Sequence, residues 1–190
     1  IFYMDRLPRS MIILGGGPVG IEMAQAFNRL GTEVHVIQRS GEILTKEDKD
    51  MADEVMRRMA SEGVRFHLKA STRAIRDLEE GKEVTVESGG EEKKLRAEAL
   101  LVALGRDANL SGLGLEDIGV AFDKRGLELD GRLRTTAHKH IFGVGDVTGA
   151  YQFTHAAGYE GGIVIANAIF HLPRKTDSVS YTHLRAHETV

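Results

Sequence analysis

The chain has 190 residues, of which 42% are hydrophobic and 28% are charged, and its 25 Lys and Arg against 28 Asp and Glu give a net charge of -3. This globular composition lacks the clustered positive charge of a nucleic-acid-binding protein, and the absence of cysteine excludes disulfide bonds, thiolate metal sites and thiol catalysis within these residues. No run approaches the roughly 18 apolar residues of a membrane span and no signal-peptide pattern opens the chain, so we expect a cytoplasmic protein without a membrane partner.

The first predicted elements form a strand, a helix and a second strand. Residues 11–14 are a continuous apolar run that ends in glycines, as in a strand buried on both faces of a parallel sheet. A helix follows and Gly31 ends it, after which 34–37 is a second apolar strand. The apolar stripe of this helix is predicted to consist of Val19, Met23, Phe27 and Leu30.

A second helix and a third strand are predicted next. Thr45 with Asp48 resembles a capping box, Gly63 ends the helix, and 64–66 begins the strand. The predicted apolar stripe of the helix consists of Met51, Val55 and Met59.

The pattern changes after residue 70. Short segments with period-two character over 70–98 predict an antiparallel meander, and 99–103 returns to a continuous apolar strand. We therefore place a domain boundary near residue 104. Beyond it we predict short strands at 118–122, 126–129 and 141–144 and a long helix at 154–170.

A glycine motif joins the first strand to the first helix. Gly15 allows a tight turn, Gly17 lets the backbone approach a pyrophosphate, and Gly20 lets helix and strand pack closely. The free N–H groups of the helix start would face the phosphates. This context favours dinucleotide binding over a glycine-rich turn without a ligand. The predicted loop comprises Gly15, Gly16, Gly17, Pro18, Val19 and Gly20.

The end of the second predicted strand bears on the choice of dinucleotide. An acidic residue there normally binds the ribose hydroxyls of NAD, but this chain has Gln38, followed by Arg39 and Ser40. A neutral amide does not repel a 2′-phosphate, and a guanidinium and a hydroxyl can both donate to one. We therefore favour NADP, with NAD as the alternative because Arg39 could equally be a solvated surface charge.

Four stretches together carry a family resemblance. GGGPVGIE at 15–22, LVALGRDAN at 101–109, IFGVGDV at 141–147 and THAAGYEGGIVIANAIF at 154–170 occur in the order found in flavoprotein pyridine nucleotide-disulfide oxidoreductases. The chain is most similar to the mercuric reductase and dihydrolipoamide dehydrogenase branch, over about 7–174.

The resemblance implies an α/β fold in which a Rossmann-type NAD(P) domain with an antiparallel meander is followed by part of a split FAD domain. Residues 1–10 would end a linker from a missing FAD segment, 11–103 would bind the nicotinamide cofactor, and 104–173 would complete the flavin domain. Residues 174–190 would be a disordered or non-native tail. The parent protein would be a homodimer through a further C-terminal domain.

The resemblance also assigns flavin-binding residues. Asp146 would hydrogen-bond the flavin ribityl chain, with Gly143 and Gly145 admitting a close backbone, although an Asp in a turn can also cap its own backbone. Thr154 is the predicted N-cap of a helix that starts against the flavin pyrimidine ring. The residues at this helix start are Gln152, Phe153, Thr154, His155 and Ala156, and we assign His155 no acid/base role.

Three further residues match positions near the nicotinamide. Glu22 matches a glutamate between nicotinamide and flavin that pairs with a lysine of the FAD segment, or it is a first-turn carboxylate favoured by the helix dipole. Ala70 and Gly105 match backbone positions beside the cofactor. FAD and NADP are thus the expected cofactors.

The expected activity belongs to the parent enzyme: NADPH reduces FAD, which passes electrons to a disulfide or another acceptor. Without the redox cysteines this chain should not turn over alone. The alternatives are a non-catalytic NAD(P)-binding regulatory module and a disulfide-free reductase of the ferredoxin or rubredoxin type. His183 and His187 have the spacing of a helical metal pair, but they lack a third ligand and we expect no metal site.

Overall fold

The computed structural model describes residue 1 and residues 4–177, and the chain divides into two compact units, Ile1–Gly105 and a second one that begins at Arg106. The boundary expected near residue 104 lies beside this division, while the assignment of the ranges to nicotinamide and flavin domains stays a prediction. Within residues 1 and 4–177, no helix is long and apolar enough to cross a membrane.

A four-stranded parallel sheet forms the centre of the first unit. Its elements are β1 (Ser10–Leu14), α1 (Pro18–Arg29), β2 (Glu33–Ile37), α2 (Lys49–Ser61), β3 (Arg65–His67) and, after the meander, β7 (Ala99–Val102). The strand order is β3-β2-β1-β7, with Met11 opposite Val34 on one side and Ala99 on the other. The predicted α/β class with a Rossmann-type sheet is confirmed.

The intervening segment is an antiparallel meander, as predicted. It consists of β4 (Ser71–Leu78), β5 (Gly81–Ser88) and β6 (Glu91–Ala97). Its apolar side chains and those of one face of the parallel sheet form a common cluster. That cluster is built from Ile12, Leu14, Ile37, Ala70, Val84, Val86, Leu95 and Ala97.

The other face of the parallel sheet packs against the two helices. Alternation along β1 and β2 sends successive side chains to opposite faces, which explains why these strands are apolar throughout. Most side chains of this second cluster are almost fully withdrawn from water, and each fully buried aliphatic side chain contributes about 1.5–3 kcal/mol. The cluster contains Met11, Ile13, Ile21, Ala24, Val34, Val36, Ile43, Ala52, Met59 and Val64.

The predicted apolar stripe of α1 is confirmed at Met23 and Phe27, which pack against this cluster, and is wrong at Val19 and Leu30, which are 47% and 66% exposed. The fully buried positions of the helix are Gly20, Ile21 and Ala24, and the small residues among them let α1 approach the sheet closely. The predicted stop is confirmed.

The predicted start of α2 is also wrong. Thr45 lies outside the helix, Asp48 is the N-cap residue, and the Asp48 side chain makes no capping hydrogen bond. Met51 is 60% exposed, while Ala52 and Met59 are buried. The helix end before Gly63, which has φ +110°, agrees with the prediction.

The second unit has little regular structure. Its elements are a 3-10 helix at Gly145–Thr148 and α3 (Thr154–Ala168), the long helix predicted from residue 154. The short strands predicted before it are wrong, since the chain there forms only isolated bridges among its described residues. These bridges join Phe122 to Leu127, Leu129 to Thr135 and Arg134 to Phe142.

A histidine pair joins β2 to β3 in the first unit. His35 Nδ1 lies 2.9 Å from His67 Nε2, and the rings stack with centroids 5.2 Å apart. Burial lowers the pKa of both imidazoles, and the positive charges of Arg65 and Lys93 lower both further. The neighbouring His35 also lowers the pKa of His67. Glu33, 3.4 Å from His35 Nε2, opposes this effect at His35.

We predict that both imidazoles titrate below about 6.5, the usual histidine pKa. The unfolded chain then binds protons that the folded unit resists, so this contribution to stability is fully present above about pH 6.5 and is lost as the pH falls through the lowered pKa values of the folded unit. NMR titration of the imidazole C2–H signals measures the two pKa values directly. A His35→Asn variant should lose part of the pH dependence of unfolding, and an imidazole titrating above the usual value would contradict the prediction.

Candidate functional site

The glycine loop lies at the carboxyl end of β1, where the backbone is too crowded for side chains. A Cβ built on Gly15, which has φ +108°, would lie 2.3 Å from the Ala103 carbonyl oxygen. A Cβ on Gly20 would lie 2.1 Å from the Gly15 carbonyl oxygen. Both contacts are shorter than any van der Waals contact, so only glycine allows β1, β7 and α1 to meet here.

The first residues of α1 have the opposite property, because they are open. A Cβ on Gly17 would meet nothing within 4 Å, and Gly17 has the extended conformation of an N-cap with φ -79°. Among residues 1 and 4–177, none accepts a hydrogen bond from the N–H of Gly17, Val19 or Gly20, and Pro18 has no N–H. The helix start therefore presents unpaired donors and positive potential to solvent.

The two other N–H donors of the glycine loop are used internally, and the first is Gly15 N–H, which donates to the Ile37 carbonyl at 2.9 Å. Gly16 N–H donates to Gln38 Oε1 at 3.0 Å, and Gln38 Nε2 donates to Ser40 Oγ at 2.6 Å. The Ser40 hydroxyl in turn donates to the Glu42 carbonyl at 2.6 Å. Gln38 and Ser40 thus brace the loop. Arg39 is exposed and has no hydrogen-bond or ion-pair partner in the described part of the chain.

The remaining residues expected near the nicotinamide have different surroundings. Ala70 is buried and its N–H donates to the Gln38 carbonyl at 3.0 Å, so this donor also stabilises the turn after β2. Gly105 has φ +126° and is exposed. Glu22 is exposed, and its side chain makes no hydrogen bond or ion pair with a described residue. The first turn of α1 contains no acidic residue, so the interpretation of Glu22 as a first-turn carboxylate is wrong.

In the second unit, one arginine connects two of the residues expected at the flavin. Arg106 Nη1 lies 3.6 Å from Asp146 Oδ2 and donates to the Gln152 carbonyl at 3.1 Å. Sequence reasoning did not select Arg106, although it stands inside the LVALGRDAN stretch. Asp146 is thus ion-paired with Arg106, and its carboxylate remains partly exposed.

A buried carboxylate, also missed from the sequence, fixes the 3-10 helix. Glu160 of α3 is 6% exposed, and its Oε2 accepts the Gly145 N–H at 2.7 Å. Thr148 Oγ1 donates to Glu160 Oε1 at 3.4 Å. A Cβ on Gly143 would lie 2.8 Å from Leu129 Cδ1 and 2.9 Å from Leu127 Cδ1, so these two leucine side chains would have to shift to admit a larger residue.

The start of α3 differs from its prediction in one respect. The N-cap residue is Phe153 with φ -123°, Thr154 is the first helical residue, and no side chain caps the helix. The prediction of Thr154 as N-cap is therefore wrong. The Phe153 ring stacks on His155 at 5.4 Å, and Ala156 is buried under the first turn.

No group of three or more His, Cys, Asp or Glu side chains in residues 1 and 4–177 is arranged to hold a metal ion. The pair His183 and His187, considered from the sequence, lies outside the residues that the structure describes.

Comparison with known proteins gives a consistent family. The family described as pyridine nucleotide-disulphide oxidoreductase matches residues 2–161. Dihydrolipoyl dehydrogenase of Geobacillus stearothermophilus is 36% identical over 178 residues, 93% of this chain and 37% of that protein. Its counterpart in Bacillus subtilis is 36% identical over 165 residues, 87% of this chain and 35% of that protein.

Solved structures agree with the sequence relatives. The HOCl-induced flavoprotein disulfide reductase RclA of Escherichia coli is similar with a TM-score of 0.81 and 33% identity, over 92% of this chain and 39% of that chain. LpdA of Mycobacterium tuberculosis has a TM-score of 0.82 and 28% identity, over 93% of this chain and 38% of that one. The chain spans 35–39% of the length of these four relatives.

We predict that Glu160→Ala destabilises the second unit by about 1–3 kcal/mol, because the buried Gly145 N–H loses its charged acceptor. Glu160→Gln, which keeps an acceptor oxygen, should cost less. Chemical denaturation, monitored by far-UV circular dichroism because the chain has no tryptophan for fluorescence, measures the change in the free energy of unfolding. Glu128→Ala, at an exposed position in the same unit, is the control and should leave the free energy of unfolding unchanged. Equal effects of the two alanine variants would contradict a stabilising role of the hydrogen bond from Gly145 to Glu160.

Proposed function

The chain belongs to the pyridine nucleotide-disulphide oxidoreductase family, and on this premise we propose that it is the NADPH-binding and flavin-completing part of a flavoprotein disulfide reductase. Residues 11–103 bind the nicotinamide dinucleotide, and 104–173 complete the FAD site. In the whole protein NADPH reduces FAD, and the electrons pass to a disulfide or a related acceptor.

The observation that carries this proposal is the glycine loop. Its crowded members, Gly15 and Gly20, bring three elements together, while the open Gly17 leaves room for a ligand against free N–H donors. A pyrophosphate fits such donors because it needs several hydrogen bonds and gains from the helix dipole. Pro18 supports the site by fixing the first turn without adding a competing donor.

NADP is the proposed form of the dinucleotide. Gln38 replaces the carboxylate that would repel a 2′-phosphate, and the adjacent Arg39 has a free guanidinium. A bidentate arginine contact suits a phosphate, which carries more charge than the ribose hydroxyl of NAD.

The FAD contribution of the second unit rests on the residues around the 3-10 helix. Asp146 provides a partly exposed carboxylate that can accept from a ribityl hydroxyl, and Arg106 holds its orientation. Gln152, Phe153 and the start of α3 provide backbone donors near the same arginine. The dipole of α3, a helix of 15 residues, favours negative charge at its start.

When bound, FAD supplies the two-electron chemistry between the nicotinamide and the acceptor. The role of this chain is to bind and orient the nicotinamide and to stabilise charge on the flavin. Glu22 is the proposed catalytic residue at that junction, where its exposed carboxylate would pair with a lysine from elsewhere in the protein. Two of the relatives named above are dihydrolipoyl dehydrogenases and a third is a flavoprotein disulfide reductase, which favours a disulfide acceptor over a disulfide-free reductase. The homodimer of the whole protein is a further part of this proposal.

We predict that Gly17→Ala leaves the fold intact but weakens NADPH binding at least about tenfold. The new methyl group meets no protein atom, yet it occupies the space that the pyrophosphate needs. Calorimetric titration of the 190-residue chain with NADPH measures the effect, and circular dichroism checks the fold. Gly162→Ala, another open glycine with ordinary backbone geometry, is the matched control; unchanged binding by Gly17→Ala would exclude the loop as the phosphate site.

We also predict that the chain binds NADPH more tightly than NADH, and that Arg39→Met weakens NADPH binding about tenfold with little effect on NADH. Competition titrations with both coenzymes measure this preference. Arg76→Met removes an exposed, unpaired arginine of β4 and should change neither affinity. A preference of the unmodified chain for NADH would refute the NADP assignment while leaving dinucleotide binding intact.

A further inference from the structure

We propose that Lys69 is the second cation of the 2′-phosphate site and that it acts together with Arg39, whereas Gln38 and Ser40 only brace the turn. This inference rests on the proposed binding of NADP. It assigns a role in coenzyme specificity to a residue that follows β3, whereas the glycine motif follows β1 and Arg39 follows β2.

The first argument concerns the hydrogens that a phosphate would need as donors. The donor hydrogens of both polar side chains beside Arg39 are already used in hydrogen bonds within the protein. Gln38 Nε2 donates to Ser40 Oγ at 2.6 Å and to the Glu42 carbonyl at 3.3 Å. The single hydroxyl hydrogen of Ser40 is directed to the Glu42 carbonyl at 2.6 Å. A phosphate could take these donors only by breaking the brace of the glycine loop, so other groups must supply the hydrogen bonds.

The second argument is the position of Lys69. The backbone pairing of β2 with β3 continues past both strands, through Gln38 N–H to the His67 carbonyl at 2.9 Å and Ala70 N–H to the Gln38 carbonyl at 3.0 Å. Lys69 N–H donates to the Ser40 carbonyl at 2.9 Å. The lysine is therefore fixed directly against the turn that carries Arg39.

The Lys69 side chain folds over the same turn. A Cβ built on Gly41 would lie 3.0 Å from Lys69 Cε and 3.8 Å from its Cγ, so the lysine stem covers Gly41. Lys69 also has φ +50°, a left-handed conformation that costs free energy for a residue with a side chain. The hydrogen bond from Lys69 N–H to the Ser40 carbonyl holds the backbone there, and Lys69 is exposed.

The charges of the turn favour an anion. Arg39 and Lys69 are both exposed, and neither has an ion-pair partner in residues 1 and 4–177. Glu42 is the nearby carboxylate, and its negative charge is partly offset by Lys49, whose Nζ lies 3.9 Å from it. Arg39 on this turn and Lys69 beyond the adjoining end of β3 can both donate to the oxygens of a phosphate monoester, while a ribose hydroxyl offers them no charge.

The test compares two fragments of the coenzyme, 2′,5′-ADP and 5′-AMP, by calorimetric titration of the 190-residue chain. We expect the unmodified chain to bind 2′,5′-ADP more tightly. Lys69→Met keeps the aliphatic stem and should weaken 2′,5′-ADP binding about tenfold while leaving 5′-AMP within about twofold. Lys69→Arg should retain most of the binding, and Lys124→Met, at an exposed unpaired lysine of the second unit, should have no effect.

The outcomes separate this inference from the proposed function. If the unmodified chain does not distinguish the two nucleotides, NADP selectivity itself is wrong, and the role of Lys69 falls with it. If it distinguishes them but Lys69→Met binds like the unmodified chain, only the Lys69 assignment is overturned. A loss that is equal for both nucleotides indicates a structural role and also overturns it; Lys69→Gly, which suits the left-handed backbone, then shows whether strain was the cause.

Discussion

The close approach of the Gly20 Cα to the Gly15 carbonyl is the contact on which the first unit depends. Any side chain at either position would push α1 away from β1, or β1 away from the end of β7. The same approach leaves the first N–H groups of α1 uncovered, because the chain turns into the helix without a capping side chain. The absence of Cβ atoms at Gly15 and Gly20 therefore permits the tight packing, and the absence of a capping side chain at Gly17 leaves the donor surface open.

The polar side chains around this loop make hydrogen bonds within the protein, so they stabilise the fold and are not available to a ligand. Gln38 joins the glycine loop to the turn after β2, and the backbone of Lys69 and Ala70 joins that turn to the end of β3. The second unit uses the same device, with Glu160 holding Gly145 and Arg106 joining Asp146 to Gln152. In both units the groups left for a ligand are backbone donors and exposed charges on a rigid frame.

Features set by local chain chemistry could be predicted from the sequence. The apolar runs, the glycine motif and the helix-ending Gly31 and Gly63 gave the parallel sheet and its helices, because period and backbone freedom are local properties. Met23 and Phe27 of α1 pack against the core as predicted, but the burial of Gly20 and Ala24 could not be predicted from large apolar residues, because close contact with the sheet selects small ones. Arg106 and Glu160 were missed for a related reason: their partners are far away in sequence, and no periodicity marks a hydrogen bond between distant segments.

The pairing of β1 with β7 has a consequence for how the site is assembled during synthesis. Leu14 accepts a hydrogen bond from Ala103, which is also the residue whose carbonyl presses on Gly15, so the wall of the glycine loop is contributed by the last strand of the unit. A nascent chain that has been synthesised only as far as the meander contains the glycine motif but lacks Ala103, the residue that completes the loop. Completion of the glycine loop is thus a late event in the folding of this unit, because it requires a long-range loop closure with its entropic cost.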